Sequence, residues 1–306
     1  LLRRTLERFV SPVSAVIGTD VQPLVAGLSS APIQRVRVGY IDGQGAERTT
    51  TLIIKEASRI ERKVLDRLQQ QSPRHVPFSH TLAPDTDAAG LVCLQDLGGR
   101  TRPHSLEPID PVLQRREADA LADIHLANRD ATGLEWLPTA DHAYFTWAIE
   151  EQFFRPTWKR ATQVPRFLDR FGSVIGAVEQ QAAAIVAAMT ALHDVTAWRT
   201  LVHTDINPSN VLVWEGTPYL IDWGAAHVGS LFLDLPHHFP ALAQADLYRI
   251  ALAQRGWAID RSTFAGAHAI ATRYTGLRYL WWALEAWLQD PAAERWVRHY
   301  LRMILA

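Results

Sequence analysis

Leu201-Val202-His203-Thr204-Asp205-Ile206-Asn207-Pro208-Ser209-Asn210-Val211-Leu212-Val213-Trp214, continued by Tyr219-Leu220-Ile221-Asp222-Trp223, is the stretch on which the reading of this 306-residue chain turns. Residues 211–214 and 219–221 form two apolar strands, and the intervening Glu215-Gly216-Thr217-Pro218 has the composition of a hairpin turn. An antiparallel hairpin sets the residue before its first strand beside the residue after its second. Asn210 and Asp222 therefore meet at one end, with Asp205 in the loop that leads in. Two carboxylates and a carboxamide converging there suit one or two Mg²⁺ ions, hard cations that take oxygen ligands and share them with phosphates. Turn formation alone explains any one of Asp205, Asn207 and Asn210. It does not explain His203 and a second acidic turn in the same apolar frame.

Toward the N-terminus the pattern is strand-like. Residues 21–26 are apolar, residues 33–41 alternate, and residues 49–55 are rich in β-branched side chains, with Asp42-Gly43 as turn chemistry, so an antiparallel meander is expected. Lys55 ends its third strand. Only three of the 31 basic residues are lysines, Lys55, Lys63 and Lys159, so an ammonium on an apolar strand stands out. It is either a compact charge that reaches phosphate oxygens or a solubilising edge lysine. Ser58 and Glu61 have capping-box spacing at the start of a helix that runs to about residue 71. Glu61 is thus placed either to cap that helix or to hold the ammonium, and Glu56 is the alternative partner. Residues 91–94 read as a short buried strand, broken by Gln95-Asp96-Leu97-Gly98-Gly99.

Beyond Gly99 the periodicity becomes helical, over residues 111–128, 174–193, 247–253 and 264–288. The expected layout is α+β: a smaller antiparallel-sheet lobe over residues 1–97, then a glycine hinge and a larger, mainly helical lobe over residues 98–306. A net charge of −1 gives no global field for nucleic acid or anionic lipid. The apolar runs are short and the opening residues are interrupted by arginine, so neither a membrane span nor a signal segment is expected, and the location expected is cytoplasmic. Cys93 is the single cysteine, which excludes an intramolecular disulfide and a multi-thiolate zinc site and reads as a small buried hydrophobe. His237-His238 lacks the further spaced ligands a metal site needs, and the Trp281-Trp282 pair sits at core-like helical spacing.

The arrangement His203-x-Asp205-x-x-x-x-Asn210, then Ile221-Asp222-Trp223 and Gly229-x-x-x-x-Asp234-Leu235, resembles the aminoglycoside phosphotransferase and choline kinase-like family, which has a protein-kinase-like fold. The motifs follow in family order: Lys55, Glu61, the hinge-like residues 94–99, the helix ending Ala122-Asp123-Ile124-His125, and the block above. The resemblance implies that Asp205 orients and deprotonates an attacking hydroxyl. It further implies that Asn210 and Asp222 hold Mg²⁺, that Lys55 paired to Glu61 contacts the phosphates of ATP or GTP, and that the backbone around Gln95 and Leu97 binds the base. His203 and Asp234 would support the catalytic loop. No GxGxxG covers the first strands, and Gly27-Leu28-Ser29-Ser30-Ala31 is the candidate phosphate loop. After Gly229 no Ala-Pro-Glu motif follows, which leaves little platform for a peptide substrate.

The expected partner is accordingly a small molecule bearing a hydroxyl, not nucleic acid or membrane. Residues beyond 98 carry 22 acidic against 19 basic side chains, which favours an amine-containing acceptor of aminoglycoside or other antibiotic type, with Glu150, Glu151, Asp246, Asp260 and Glu285 as lining candidates. Choline or an amino alcohol, bound on aromatic faces, is the alternative. A non-catalytic kinase-like binding module is the reading from another class. The intact Asp205 discriminates against it. The sequence leaves the oligomeric state open.

Overall fold

The strand pattern of the N-terminal third is realised as a five-stranded antiparallel sheet preceded by helix α1 (Leu2–Phe9). Its strands are β1 (Val13–Leu24), β2 (Ile33–Asp42), β3 (Glu47–Ala57), β4 (Ser79–Thr81) and β5 (Gly90–Gln95), in spatial order β1-β2-β3-β5-β4. The computed structural model describes residues 1–24, 32–82, 90–104 and 106–306, so the candidate phosphate loop at residues 27–31 lies outside the described residues. Alternation in β2 sends Val36, Val38 and Tyr40 into a core shared with Leu6, Val13, Leu52 and Cys93. Burying side chains of this size stabilises by about 1.5–3 kcal/mol each. The first strand begins at Val13, earlier than the apolar run at 21–26 predicts. It pairs with β2 along its length while Ile17 and Val21 stay about half exposed, so a hydropathy pattern does not mark its start. Helix α2 (Arg59–Gln71) starts where expected, with Ser58 Oγ accepting from the Glu61 N–H at 3.2 Å.

The chain forms two compact units, Leu1–Arg102 with Ser209–Ala226, and Pro103–Pro208 with His227–Ala306. This differs from a single boundary at residue 97. Strand β6 (Arg100–Thr101) pairs with β8 (Val211–Trp214), which pairs with β9 (Thr217–Leu220), and the Leu220 N–H donates to His75 O at 2.8 Å. The hairpin predicted at residues 211–221 is therefore a hydrogen-bonded part of the first unit, although it lies more than a hundred residues later in the chain.

Among its described residues the second unit is helical apart from one antiparallel pair, β7 (Arg199–Val202) with β10 (His227–Ser230), and an isolated bridge between Thr139 and Val228. Its helices are α3 (Pro111–Ala127), α4 (His142–Thr146), α5 (Phe154–Ala161), α6 (Pro165–Phe171), α7 (Ile175–Asp194), α8 (Leu242–Gln254), α9 (Arg261–Gln289) and α10 (Glu294–Leu305). Asp260 caps α9, its carboxylate accepting from the N–H groups of Ser262 and Thr263, and the 29-residue helix runs through the core of the unit. Leu277, Leu284 and Trp287 of α9 are buried as the helical spacing predicts, whereas Trp281 and Trp282 are half-buried. Against the expectation from short apolar runs, the helical stretch Pro165–Asp194 is long and apolar enough, by length and composition, to cross a membrane. Gln180 and Gln181 hide that from a run-by-run reading. Within the fold α7 turns Val178, Ala182, Ile185, Met189 and Leu192 inward.

Candidate active site

In the first unit, β3 carries Lys55 to the end of the sheet, opposite Ile33 on one side and Val92 on the other. Its ammonium lies 2.6 Å from Glu61 Oε1 and 2.9 Å from Asp222 Oδ1. Of the two candidate partners, Glu61 makes the contact from the first turn of α2, and Glu56 is exposed on the strand. The side chains of Lys55 and Glu61 are 12 % and 5 % exposed. Burial opposes the charge on Lys55, but Glu61 and then Asp222 outweigh it and hold the ammonium above its ordinary value.

The hairpin brings Asn210 and Asp222 to one end as its geometry requires: Val211 faces Leu220, and the Ile221 N–H donates to Asn210 O at 3.0 Å. Asp222 takes a left-handed backbone, φ 65°, and its carboxylate stays half exposed. Among the described residues no group of three or more His, Cys, Asp or Glu gathers to hold a metal by itself. The donor set at this hairpin end, a carboxamide and a half-exposed carboxylate, contains only hard oxygen ligands from the protein. That fits Mg²⁺, which completes its shell with waters and substrate phosphates.

At the hinge-like segment the Gln95 N–H donates to Phe78 O at 3.0 Å, so that N–H is already engaged within the sheet. Asp96 makes a two-pronged pair with Arg35, at 2.7 and 3.2 Å, and also accepts from the Gly98 N–H. Gly98 has φ 54°, where a side chain is strained, and the Leu97 side chain is buried. The segment is pinned by its side chains on both sides of Leu97.

In the second unit the loop that follows β7 is held from beneath by Asp234, which is fully buried. Its two carboxylate oxygens accept from the backbone N–H groups of His203, at 2.7 Å, and Thr204, at 2.9 Å. His125, at the end of α3, lies 3.3 Å from the same carboxylate through Nε2 and 2.6 Å from Tyr248 Oη through Nδ1. Burial pushes the Asp234 carboxyl upward, but the His125 contact and the His203 side of the loop hold it below its usual range. This clamp maintains Thr204 at φ 60°, an uncommon conformation for a β-branched residue, immediately before Asp205. His238, read from sequence only as a poor metal candidate, supports the other side of the loop, its Nε2 3.0 Å from Ile206 O.

Two further residues reach Asp205 that motif reading missed. Tyr279 donates its hydroxyl to Asp205 Oδ1 at 2.6 Å, and Arg278 donates to Thr204 O and stands 3.9 Å from the same carboxylate. Both come from the middle of α9. The available signal was an arginine on a helix face otherwise occupied by Tyr274, Leu277 and Trp281, which is a costly place for a charge without a role.

Residues 54–270 match the model of the phosphotransferase enzyme family. Similar solved structures include spectinomycin phosphotransferase APH(9)-Ia in complex with ADP and spectinomycin, with TM-score 0.59 and 12 % identity over 100 % of this chain and 97 % of that one. A choline/ethanolamine kinase family protein from Mesorhizobium loti has TM-score 0.57 and 14 % identity over 93 % and 86 %. Choline kinase LicA from Streptococcus pneumoniae has TM-score 0.51 and 14 % identity over 99 % and 97 %. At these identities the likeness is one of fold, the two-lobed α+β protein-kinase-like fold. A comparison with curated protein sequences gives no match.

Proposed function

The chain belongs to the phosphotransferase enzyme family, and from that premise we propose that it transfers the γ-phosphoryl group of ATP, or of GTP, to a hydroxyl of a small molecule. The observation that carries the nucleotide half of the reading is the buried Lys55 ammonium, held between Glu61 and Asp222 beside Asn210. In this reading the first unit is the nucleotide-binding lobe. Lys55 contacts the phosphates, the backbone of Gln95 and Leu97 meets the base, and Asn210 and Asp222 hold Mg²⁺. The metal, when bound, neutralises charge on the phosphates.

Asp205 is the proposed base. The acceptor O–H bond breaks and its proton goes to the Asp205 carboxylate as the acceptor oxygen bonds the γ-phosphorus. The bond from that phosphorus to the β–γ bridging oxygen breaks, and ADP leaves with the electron pair. Positioning and charge neutralisation supply most of the rate in such a transfer, so the rigid hold of Asp234 on the loop is part of the reading.

The amine-containing acceptor, of aminoglycoside type ahead of choline or an amino alcohol, drew its support from acidic residues beyond position 98. Four of the five lining candidates have other work: Glu150 pairs with Arg155, Glu285 with Arg160, Asp246 with Arg249, and Asp260 caps α9. The reading therefore rests at the hydroxyl of a small molecule. Titration calorimetry of the full chain with ATP and saturating Mg²⁺ tests the nucleotide half. Heat that disappears on chelating the metal supports it, and the absence of both heat and a thermal shift overturns it.

A further inference from the structure

Thr204 stands immediately before the proposed base with φ 60°, a conformation a β-branched residue keeps only where its surroundings impose it. The Asp234 carboxylate fixes the peptide plane on its N-terminal side, through the N–H groups of His203 and Thr204. The plane on the other side, between Thr204 and Asp205, is held through the Thr204 carbonyl, which accepts from Arg278 Nη1. Further along, the Asp205 carbonyl accepts from the Asn207 N–H at 2.8 Å, and the Ile206 carbonyl lies 3.0 Å from His238 Nε2. Three successive loop carbonyls are thus engaged. The first of them sets where the Asp205 side chain leaves the backbone, and its partner is a buried guanidinium.

Arg278 is 6 % exposed, and a permanent charge taken out of water needs both a counter-charge and hydrogen bonds. Asp205 supplies the first: its Oδ1 lies 3.9 Å from Arg278 Nη2, too far for a hydrogen bond but close enough for the charges to match. The hydrogen bonds go to the Thr204 carbonyl and to the Tyr144 hydroxyl at 3.1 Å. The rings of Phe153 and Tyr279 lie 5.0 and 5.3 Å from the guanidinium carbon. One planar group therefore grips the backbone before the base with one nitrogen and faces the carboxylate of the base with another. A lysine ammonium, a point charge on a flexible stem, reproduces that arrangement only in part.

Resting on the phosphotransferase reading, in which Asp205 is the base, we propose that Arg278 is a positioning residue for the transfer. Together with Asp234 it fixes the two peptide planes that flank Thr204, keeps that residue in its left-handed conformation, and so aims the Asp205 carboxylate at the acceptor hydroxyl. The disfavoured backbone is the reason a second hold is needed. Without Arg278, Thr204 relaxes toward negative φ and Asp205 turns with it.

The test uses the full chain with MgATP and water as the acceptor, following ADP release, the Kd of MgATP by calorimetry, and amide hydrogen exchange over residues 201–208. Arg278→Met removes the charge and the donors at similar length, and the Asp205 side chain, 37 % exposed, is left to water. Misplacing a reacting group on the ångström scale is expected to lower kcat about ten- to a hundredfold, with the Kd of MgATP unchanged and exchange over 201–208 faster. Arg278→Lys should fall between. The decisive variant adds Thr204→Asn to Arg278→Met. Asparagine has nearly the volume of threonine and takes positive φ far more readily, so slower exchange and a several-fold recovery of kcat are expected. An arginine that merely supports the fold gives no such rescue. Unchanged kcat or unchanged loop exchange in Arg278→Met, or a double variant no better than the single one, overturns the proposal. Where Arg278→Met does not fold, Arg278→Lys with and without Thr204→Asn decides in its place. Where the unaltered chain releases no ADP, the exchange comparison decides. Failure to bind MgATP overturns the phosphotransferase reading itself, while the exchange comparison still reports whether Arg278 holds Thr204.

Discussion

The Tyr279 hydroxyl lies 2.6 Å from Asp205 Oδ1, so a residue 74 positions downstream orients the proposed base by donating to one of its two oxygens. A hydrogen bond to a charged group contributes about 1.5–3 kcal/mol. Tyr279→Phe removes that donor and little else, because the ring remains against His237. We expect kcat to fall roughly tenfold, the low end of that range because the Asp205 side chain is partly solvated, with the Kd of MgATP unchanged. Steady-state kinetics paired with calorimetry checks the split. A change confined to nucleotide affinity would assign Tyr279 a different role.

Asp234 gives a pH-dependent prediction. Its carboxylate accepts from two backbone N–H groups and contacts His125 without exposure to water, so Asp234→Asn turns one acceptor into a donor facing donors. Breaking a buried charged network of this kind costs about 3 kcal/mol or more. The folded-state value is lowered from 3.8, so its stabilising contribution is complete above that pH and is lost as pH falls through the lower folded value. Denaturant midpoints of the two proteins should therefore differ by a constant amount near neutrality and converge below about pH 3.8. A gap that stays constant into strong acid would show that the carboxylate charge is not what the variant removed.

Much of this was legible in the sequence because local chemistry decided it. The N-terminus of α2 follows from Ser58, the 211–220 hairpin from its turn composition, and the meeting of Asn210 with Asp222 from antiparallel geometry. Lys55 stood out because the chain otherwise uses arginine. What stayed hidden is set by tertiary contact. Strand β1 lacks hydropathy alternation because its outward residues are apolar too. Strand β6 is two residues long and exists through pairing with β8. Arg278 and Tyr279 sit in a helix whose period reveals a core face but not which buried polar group lies across from it. The placement of residues 209–226 in the first unit likewise follows from hydrogen bonds between segments far apart in the chain.

Gly276 tests the packing that carries those residues. A Cβ built there would meet Ile304 Cγ1 at 2.8 Å, Met303 Cβ at 3.0 Å and the Tyr300 carbonyl oxygen at 3.0 Å. The glycine lets α9 and α10 approach at the level of Arg278. Alanine in a helix interior gains up to about 1 kcal/mol of propensity over glycine. Overpacking a tight contact costs about 1–3 kcal/mol, and here the obstruction includes backbone. The net effect of Gly276→Ala is expected to be destabilising, lowering Tm by several degrees, with α10 displaced. A raised Tm would mean that the two helices separate without cost.

The roles proposed for Asp205 and Asp222 separate by what each variant loses. Asp205 belongs to the second unit, where its carboxylate is held by Tyr279 and faces Arg278. Asp222 belongs to the first, where its carboxylate contacts Lys55 and lies at the hairpin end beside Asn210. A base acts only as the acceptor proton departs, so Asp205→Asn, which keeps size and one acceptor oxygen, should reduce kcat by several orders of magnitude while calorimetry still reports the original MgATP affinity. A metal ligand acts in the ground state as well. Asp222→Ala should therefore abolish the Mg²⁺-dependent part of nucleotide binding, and with it turnover. It also withdraws one of the two anions beside Lys55 and leaves Glu61, so the ammonium keeps a partner and the unit should remain folded. Equal nucleotide affinities in the two variants would reverse the assignment of base and metal ligand. Loss of folding in Asp222→Ala would instead mean that its pairing with Lys55 holds the lobe together, and Asp222→Asn would then carry the same comparison.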